Sequence, residues 1–372
     1  MTGYRRLVAG AVGLWLTGGS AAALQVEILQ DKLDHPWALA FLPGDRGIVI
    51  TERSGQLRHW QPQSGLSAPI TGVPAVWAQR QGGLLDVALA PDFAQSRRVW
   101  LSYTLRGAQG VGAAVGFGRL SEDVRRLEGF TEVLRQAPAL SSGANLGTRI
   151  AFAPTGHVWV AFGDNFVAEN AQRLDTLQGK LVRLNPDGSV PADNPLVGRE
   201  GARPEIWAWG LRNPQGLAVH PTTGVLWESE HGPRGGDEIN RIARGQNYGW
   251  PLATWGVDYS GEKVPGSRGG EVAGTVPPVE WWKVSPAISG MAFYQHPRFP
   301  QWQNMLFVGA LKDRNLIQLR LSGDRVVAQQ RLLGARGERI RDVRAGPDGY
   351  LYLLTDEANG KLLRVSPEGA AP

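Results

Sequence analysis

One phrase recurs six times along the chain and limits the fold more than any other feature. It consists of an apolar pair, a turn centred on proline, a short gap and an alternating strand, as in AFLPGDRGIVIT and AFAPTGHVWVAFGD. The six turn prolines are Pro43, Pro91, Pro154, Pro221, Pro297 and Pro347. Repeats of this spacing, with roughly four strands each, are typical of a β-propeller, whose blades protect their edges by radial packing.

The repeats predict an all-β fold, a six-bladed β-propeller of four-stranded antiparallel blades. Runs such as RVWLSYT and HVWVAF alternate at period two between Gly, Pro, Asp and Asn turns, as strands do. A β-sandwich is the competing fold, but it does not explain why one phrase returns six times. The 372 residues could form one domain or two. The repeats favour one closed domain over residues 24–372.

The first residues have the pattern of a secretory signal peptide. Arg5 and Arg6 precede an apolar run, and small residues end the segment near Ala23. A buried N-terminal helix is the alternative. No later segment approaches ~20 uninterrupted apolar residues. The sequence therefore predicts a signal peptide over residues 1–23 and a mature chain that is periplasmic and has no stable membrane insertion.

Composition restricts the ligands. The chain has no cysteine, which excludes disulfides and thiolate metal sites, so a metal must be held by oxygen or histidine. The formal charge is +5, yet the arginines are scattered and no basic helix is present, so nucleic acid is not an expected partner. A small carboxylated ligand fits the arginines better.

Five loop stretches carry residues that are chemically unusual for turns. Loops of a propeller converge at one end of its central channel, so distant residues can line one pit. Guanidinium forks bind carboxylates bidentately, and amides satisfy the remaining oxygens. Taken singly, each cation is also compatible with a solvated strand end. The residues that together suit an anion with several carboxylates are Gln81, Arg212, Asn213, Lys312, Arg339 and Arg341.

The stretch EHGPRGGDEINRIARGQNYGWP, residues 230–251, combines five glycines and two prolines with an acidic triplet. Such a bent backbone points carbonyl oxygens at one spot. Together with Asp237 and Glu238, these oxygens suit a hard cation such as calcium. His231 has no spaced partner that would indicate zinc. The alternative is that the two carboxylates cap a turn.

Nine peptides in order make the chain resemble a known family. They include HPWALAFLP, QGGLLDVALAPDFA, GLRNPQGLAVHP, EHGPRGGDEIN, LFVGALKD and RIRDVRAGPDGYLYLLTDE, and the similarity runs from Val26 to Pro367. The family is that of the soluble, pyrroloquinoline quinone-dependent aldose sugar dehydrogenases, or glucose/sorbosone dehydrogenases. The resemblance implies a six-bladed propeller that binds the quinone and calcium in its central pit. It also implies oxidation of the anomeric hydroxyl of an aldose sugar to the lactone, with electrons passing to an external acceptor.

The resemblance also assigns roles to residues. The six residues of the loop set would hold the cofactor, and the backbone carbonyls of Gly232 and Pro233 would bind the calcium. A second, structural calcium would use Glu238 and the region of Tyr248.

One position departs from the family pattern. In SSGANLGTRIAF, aligned through its glycines and arginine, the general-base histidine of the family is replaced by Asn145. An amide has no basic lone pair near neutral pH, so Asn145 can position a hydroxyl but cannot take its proton. Asp164 matches the acidic residue that orients that histidine. Here it could act as a poorer base through a water or cap a turn.

Three functions remain compatible with the sequence. The first is a weakened aldose dehydrogenase that depends on the quinone and calcium. The second is a propeller that binds quinone or sugar without catalysis. The third is a calcium-dependent lactonase, although that class needs carboxylates around a central metal and the pit here is richer in arginine and lysine.

Overall fold

The structure is a computed structural model that describes residues 24–369. These residues form six four-stranded antiparallel sheets, and each sheet is one blade. The prediction of a six-bladed β-propeller is therefore confirmed. The predicted signal peptide, residues 1–23, lies outside the described residues. Within the described range, no helix has both the length and the apolar character needed to cross a membrane.

In blades one to five, the strands run in chain order from the inside of the ring to the outside. Blade one contains β2 (Pro36–Phe41), β3 (Ile48–Glu52), β4 (Gln56–Gln61) and β5 (Gly65–Leu66). Blade two contains β6 (Leu84–Leu89), β7 (Arg98–Gly107), β8 (Gly110–Leu120) and β9 (Leu127–Arg135). Blade three contains β10 (Gly147–Phe152), β11 (Val158–Phe162), β12 (Lys180–Leu184) and β13 (Ile206–Trp209).

The second half of the ring repeats the arrangement. Blade four contains β14 (Pro214–Val219), β15 (Leu226–Glu230), β16 (Asp237–Arg241) and β17 (Glu280–Trp282). Blade five contains β18 (Ile288–Tyr294), β19 (Met305–Ala310), β20 (Asn315–Ser322) and β21 (Arg325–Leu332). Blade six contains β22 (Ile340–Ala345), β23 (Leu351–Thr355) and β24 (Gly360–Pro367), and β1 (Leu24–Leu33) completes it.

Helical segments are short, as the sequence indicates. One α-helical turn spans Phe93–Ser96, and 3₁₀ turns span Ala168–Gln172, Pro300–Trp302 and Gly334–Arg336.

The innermost strands form a closed ring around the central channel. Each one contacts the innermost strands of both neighbouring blades, in the order β2, β6, β10, β14, β18, β22 and back to β2. The six turn prolines follow these strands directly and lead into the second strand of each blade. All inner strands therefore begin at one end of the channel, and residues at their first positions can meet there.

Blade six is closed by the two ends of the described chain. Strand β1 pairs antiparallel with β24, from Leu24 opposite Pro367 to Leu33 opposite Gly360. The outermost strand of the last blade thus comes from the N-terminal end, and the hydrogen bonds of one strand pair hold the ring shut.

A layer of buried ions crosses the middle of the channel. The guanidinium of Arg149 lies 3.3 Å from Asp86 and 3.0 Å from Asp342, and it stacks 4.0 Å from the ring centre of Trp37. Arg344 pairs with the same two carboxylates at 3.1 and 3.0 Å. Burial raises the pKa of Asp86, although Arg149 and Arg344 oppose the shift. Charges from blades two, three and six therefore neutralise one another beneath the pit.

Candidate active site

A cavity of about 220 Å³ opens at the end of the channel where the inner strands begin. Every blade contributes to the wall of this cavity, because each inner strand, or the segment just before it, lies at this end of the channel. The lining residues are Trp37, Arg53, Gln81, Leu85, Leu146, Gly147, Asn213, Gln215, His231, Ala287, Leu311, Arg339, Arg341 and Asp356.

Four of the six residues with predicted cofactor-binding roles line this cavity: Gln81, Asn213, Arg339 and Arg341. They come from blades two, four and six and are brought together only by closure of the ring. Arg341 is nearly buried and donates a 2.9 Å hydrogen bond to Oε1 of Gln215. With Arg53, the wall therefore presents three guanidinium groups and several amides to one small space.

Asp356 orients both arginines. Its Oδ2 atom accepts a 2.5 Å hydrogen bond from Arg341 and a 3.4 Å bond from Arg339. Burial alone would raise the pKa of this carboxyl group. Arg341 and then Arg339 outweigh burial and lower the pKa to about 2. The carboxylate is therefore ionised at neutral pH, and its buried Oδ1 atom has no hydrogen-bond partner among the described residues.

Arg212 lies beside the cavity rather than in its lining. Its Nη1 atom donates to the backbone carbonyls of His231 at 3.0 Å and Gly232 at 2.7 Å. The guanidinium carbon lies 5.2 Å from the ring centre of Trp250 and 5.9 Å from that of Tyr259. Glu230 fixes the backbone of this segment, because its Oε2 accepts from the amides of Arg212 and Asn213.

Lys312 was predicted to hold the cofactor, but its side chain does not line the cavity. Its side chain is exposed, and its Nζ atom donates a 3.1 Å bond to the carbonyl of Ser285. The neighbouring Leu311 does line the cavity, and its carbonyl accepts a 3.1 Å bond from Arg339. Lys312 therefore belongs to the rim at the same end of the channel, with its ammonium group turned to an adjacent loop.

Asn145 and Asp164 are in direct contact. Nδ2 of Asn145 donates a 3.0 Å hydrogen bond to Oδ1 of Asp164, and the indole of Trp250 donates a 2.8 Å bond to Oδ2. Burial raises the pKa of Asp164, while Arg212 and these donors oppose the shift. The backbone amide of Asn145 also donates to Oε1 of Gln81 at 2.8 Å, which links this pair to the cavity wall.

The backbone around Asn145 is closely packed. Asn145 has φ of 49°, in the left-handed region that asparagine and histidine adopt more readily than most residues. A Cβ on Gly163 would lie 2.0 Å from the carbonyl oxygen of Asn145, so only glycine fits there. The close approach holds position 145 against the strand end that carries Asp164.

The bent stretch 230–251 begins with a turn that Asp237 holds together. Asp237 accepts a 3.0 Å bond from the amide of Gly232 and a 3.1 Å bond from that of Ile288 in blade five. Gly235 and Gly236 have φ of 80° and 73°, which allows the tight reversal. Asp237 therefore fixes the turn that presents the carbonyls of Gly232 and Pro233.

Glu238 and Tyr248 occupy a separate polar region of blade four. Glu238 is opposite Glu230 across the strand pair, and burial together with Glu230 raises its pKa well above the ordinary value. The hydroxyl of Tyr248 accepts from the amide of Ala243 and donates 2.7 Å to the carbonyl of Arg241. Between Leu24 and Gly369, no three His, Asp or Glu side chains form a group that could hold a metal. A cation in this region would need backbone oxygens.

Sequence reasoning missed five polar or aromatic residues of the wall: Trp37, Arg53, Gln215, His231 and Asp356. His231 follows Glu230 directly, and burial lowers its pKa to about 4, although Asp237 opposes the shift. Its imidazole is therefore neutral at physiological pH. His231 lies next to the Gly232 turn, and Trp37, Gln215 and Asp356 lie within the peptides HPWALAFLP, GLRNPQGLAVHP and RIRDVRAGPDGYLYLLTDE, so their positions in these peptides were the available signal.

The wall fits a flat polyanion and a hard cation. The Nε atoms of Arg212 and Arg341 are buried and have no hydrogen-bond partner among the described residues. Such orphaned donors are costly unless a ligand satisfies them. The carbonyl oxygen of Gly232 already accepts a hydrogen bond from a cation, the guanidinium of Arg212. This oxygen therefore faces a position that a positive charge can occupy.

Comparison with known proteins agrees with this architecture. The family model of the glucose/sorbosone dehydrogenases matches residues 33–364. The chain belongs to this family. The predictions of family and of a dehydrogenase are thereby confirmed.

The similarity of this glucose/sorbosone dehydrogenase family member to its relatives covers nearly the whole chain. Aldose sugar dehydrogenase YliI of Escherichia coli strain K12 is 58% identical over 97% of both chains. The crystal structure of the soluble aldose sugar dehydrogenase from Escherichia coli in its apo form has a TM-score of 0.92 and 59% identity, covering 93% of this chain and 100% of the other. The pyrroloquinoline quinone-bound aldose sugar dehydrogenase of Streptomyces coelicolor has a TM-score of 0.72 and 26% identity, covering 94% and 100%.

Proposed function

We propose that this chain is a periplasmic quinoprotein that oxidises the anomeric hydroxyl of aldose sugars to the lactone, using pyrroloquinoline quinone and calcium. The observation that carries the proposal is the convergence of Gln81, Asn213, Arg339 and Arg341 on one central cavity. These groups come from three blades, and together they offer bidentate cations and amides to a planar guest with several carboxylates. Relatives whose names specify an aldose sugar dehydrogenase support the substrate class.

The residues divide into groups by role. Arg339 and Arg341, oriented by Asp356, would hold carboxylates of the cofactor, and Gln81 and Asn213 would bind its remaining oxygens. Lys312 would reach the cofactor only after its ammonium group leaves the carbonyl of Ser285. The carbonyls of Gly232 and Pro233 would hold the calcium beside it, and Glu238 with the Tyr248 region would hold a second, structural calcium.

When bound, the quinone would supply a hydride acceptor for the anomeric carbon, and calcium would supply polarisation of the quinone. The chain must then deal with the proton of the sugar hydroxyl. Nδ2 of Asn145 is committed to Asp164, so its carboxamide oxygen is left to accept a hydrogen bond from that hydroxyl. This contact orients the sugar but removes no proton. The loss of a general base typically lowers the rate by ~10²–10⁴, so we expect slow turnover.

The proposal is tested by loading the apoprotein with quinone and calcium and following aldose-dependent reduction of a dye. Chain without quinone is the matched blank, and loading is checked by the absorbance of the bound quinone. Dye reduction that requires quinone, calcium and an aldose together would support the enzyme. In the cell, an external electron acceptor would take the place of the dye. The chain would act as a single domain over residues 24–372.

A second function is favoured by the amide at position 145. A propeller that binds quinone or sugar without oxidising it would keep the cavity and dispense with the base. In that case the quinone-loaded chain gives no turnover with any aldose, while calorimetry still detects quinone binding. Lactone hydrolysis without quinone would instead indicate the lactonase.

A further inference from the structure

Arg212 is a buried cation held by backbone oxygens. Only 4% of the residue is exposed, and its Nη1 atom bridges the carbonyls of His231 and Gly232 at 3.0 and 2.7 Å. The rings of Phe166, Trp250 and Tyr259 surround the guanidinium, with centres 5.2 to 5.9 Å from its central carbon. Its carboxylate neighbours, Asp164 and Glu230, act at longer range and already accept hydrogen bonds from other donors. Its hydrogen-bond partners among the described residues are therefore these two carbonyls and the hydroxyl of Tyr259, which accepts a 3.3 Å bond from Nη2.

The carbonyl of Gly232 is also one of the two oxygens proposed to bind calcium. Calcium requires carbonyl and carboxylate oxygens at about 2.3–2.6 Å. A guanidinium nitrogen 2.7 Å from the same oxygen would then lie within a few ångströms of the metal. Two unshielded positive charges at such a separation repel strongly in a buried site. Arg212 and calcium therefore compete electrostatically for this carbonyl in the observed arrangement.

We propose that Arg212 is a built-in competitor for the calcium site, which leaves the Gly232 carbonyl when an anionic ligand offers its guanidinium a carboxylate. The inference rests on the proposed function, because it takes calcium and a carboxylated quinone as the ligands. The unpartnered Nε atom of Arg212 is consistent with an arginine that is completed only by a ligand. Its flat aromatic surroundings allow the plane of the guanidinium to shift while its stacking is kept.

The exchange makes metal and quinone binding cooperative. Calcium alone must displace the guanidinium with nothing to receive it, so its apparent affinity is its intrinsic affinity multiplied by the fraction of chains in which the carbonyl is free. A bound carboxylate removes this competition. Because coupling between two ligands is reciprocal, calcium strengthens quinone binding by the same factor.

Calorimetric titration of the apoprotein with calcium chloride, without quinone, tests the exchange. Arg212→Met removes the charge and keeps the length of the side chain. We expect it to bind calcium at least roughly tenfold more tightly than the unaltered chain, as expected if the guanidinium occupies the carbonyl in nine of ten molecules or more. Arg339→Met is the matched control, since it removes one arginine charge from the same cavity but has no bond to Gly232. Its gain should stay below about threefold, the effect of general electrostatics.

Two further measurements keep the outcome decisive. Thermal unfolding of each variant checks that it is folded, and Arg212→Gln replaces the methionine variant if the latter is not. Repeating the calcium titration with quinone present should improve calcium affinity in the unaltered chain and have little effect in the Arg212 variants. Equal calcium affinity in unaltered and Arg212→Met chains, or an equal gain in Arg339→Met, would overturn the exchange. Failure of quinone to bind any form would count against the proposed function alone, because the titration with calcium needs no quinone.

Discussion

Nδ2 of Asn145 lies 3.0 Å from Oδ1 of Asp164, in the orientation of a donor toward a buried carboxylate. The pair keeps the geometry of a base and the acid that orients it, but the residue in the base position cannot take a proton. The architecture for proton removal is thus present without the group that would perform it. This relationship leads directly to the first prediction.

Asn145→His should raise aldose oxidation by the quinone-loaded chain by ~10²–10⁴, since imidazole titrates near neutral pH and Asp164 can accept its second N–H. Histidine tolerates the left-handed backbone at this position. The measurement is the turnover number for dye reduction, and Asn145→Gln is the control because it keeps an amide. A histidine variant no faster than the glutamine variant, with quinone bound equally, would show that position 145 does not receive the proton.

Arg341→Met should weaken quinone binding by about 10- to 100-fold, because charge-assisted hydrogen bonds contribute roughly 1.5–3 kcal/mol. Titration calorimetry of the calcium-loaded chain measures the change. Arg364→Met provides the comparison, since Arg364 pairs with Glu27 on the outer strands of blade six, away from the cavity. If both substitutions had equal effects, the assignment of Arg341 to the cofactor would be wrong.

Arg149→Met should destabilise the fold by about 3–5 kcal/mol, because it removes the more deeply buried of the two arginines that neutralise the buried carboxylates Asp86 and Asp342. Urea unfolding at neutral pH gives the free energy. Arg173→Met removes an exposed arginine paired with Asp175 and should change stability little. A small loss for Arg149→Met would mean that Arg344 alone neutralises the two carboxylates.

The pKa of Asp356 predicts an acid-dependent contribution to stability. Its folded pKa of about 2 lies below the ordinary 3.8, so the contribution is complete above pH 3.8 and is lost as pH falls through 2. The lowering corresponds to about 2 kcal/mol. In urea unfolding, the difference in stability between the unaltered chain and Asp356→Asn should therefore shrink between pH 5 and pH 2.5. A difference independent of pH would assign the loss to packing instead of charge.

The sequence predicted the fold because its local signals repeat. Each of the six turn prolines lies two or three residues after the end of an inner strand, so one local pattern that occurs six times was enough to define the ring. Gln81, Asn213, Arg339 and Arg341 could be anticipated because polar and basic residues at strand starts stand out against apolar strands. Their convergence follows from the topology.

The remaining wall residues have no comparable local signal. Asp356 follows β23 like any polar residue at a strand end, and its function as partner of two arginines depends on side-chain directions that ring closure sets. Lys312 illustrates the opposite case. Its motif predicted a cofactor-holding residue in the pit, whereas its long, flexible side chain donates to the carbonyl of Ser285, a direction that no sequence pattern specifies.

The pairing of β1 with β24 has a consequence for how the protein is made. More than three hundred residues separate these strands, so the last blade cannot be completed until translation has delivered β24. Until then the chain carries five finished blades and one exposed sheet edge, a state prone to association with other chains. We therefore expect that loss of β24 alone would be enough to yield insoluble protein, even though every residue of the cavity wall would still be synthesised.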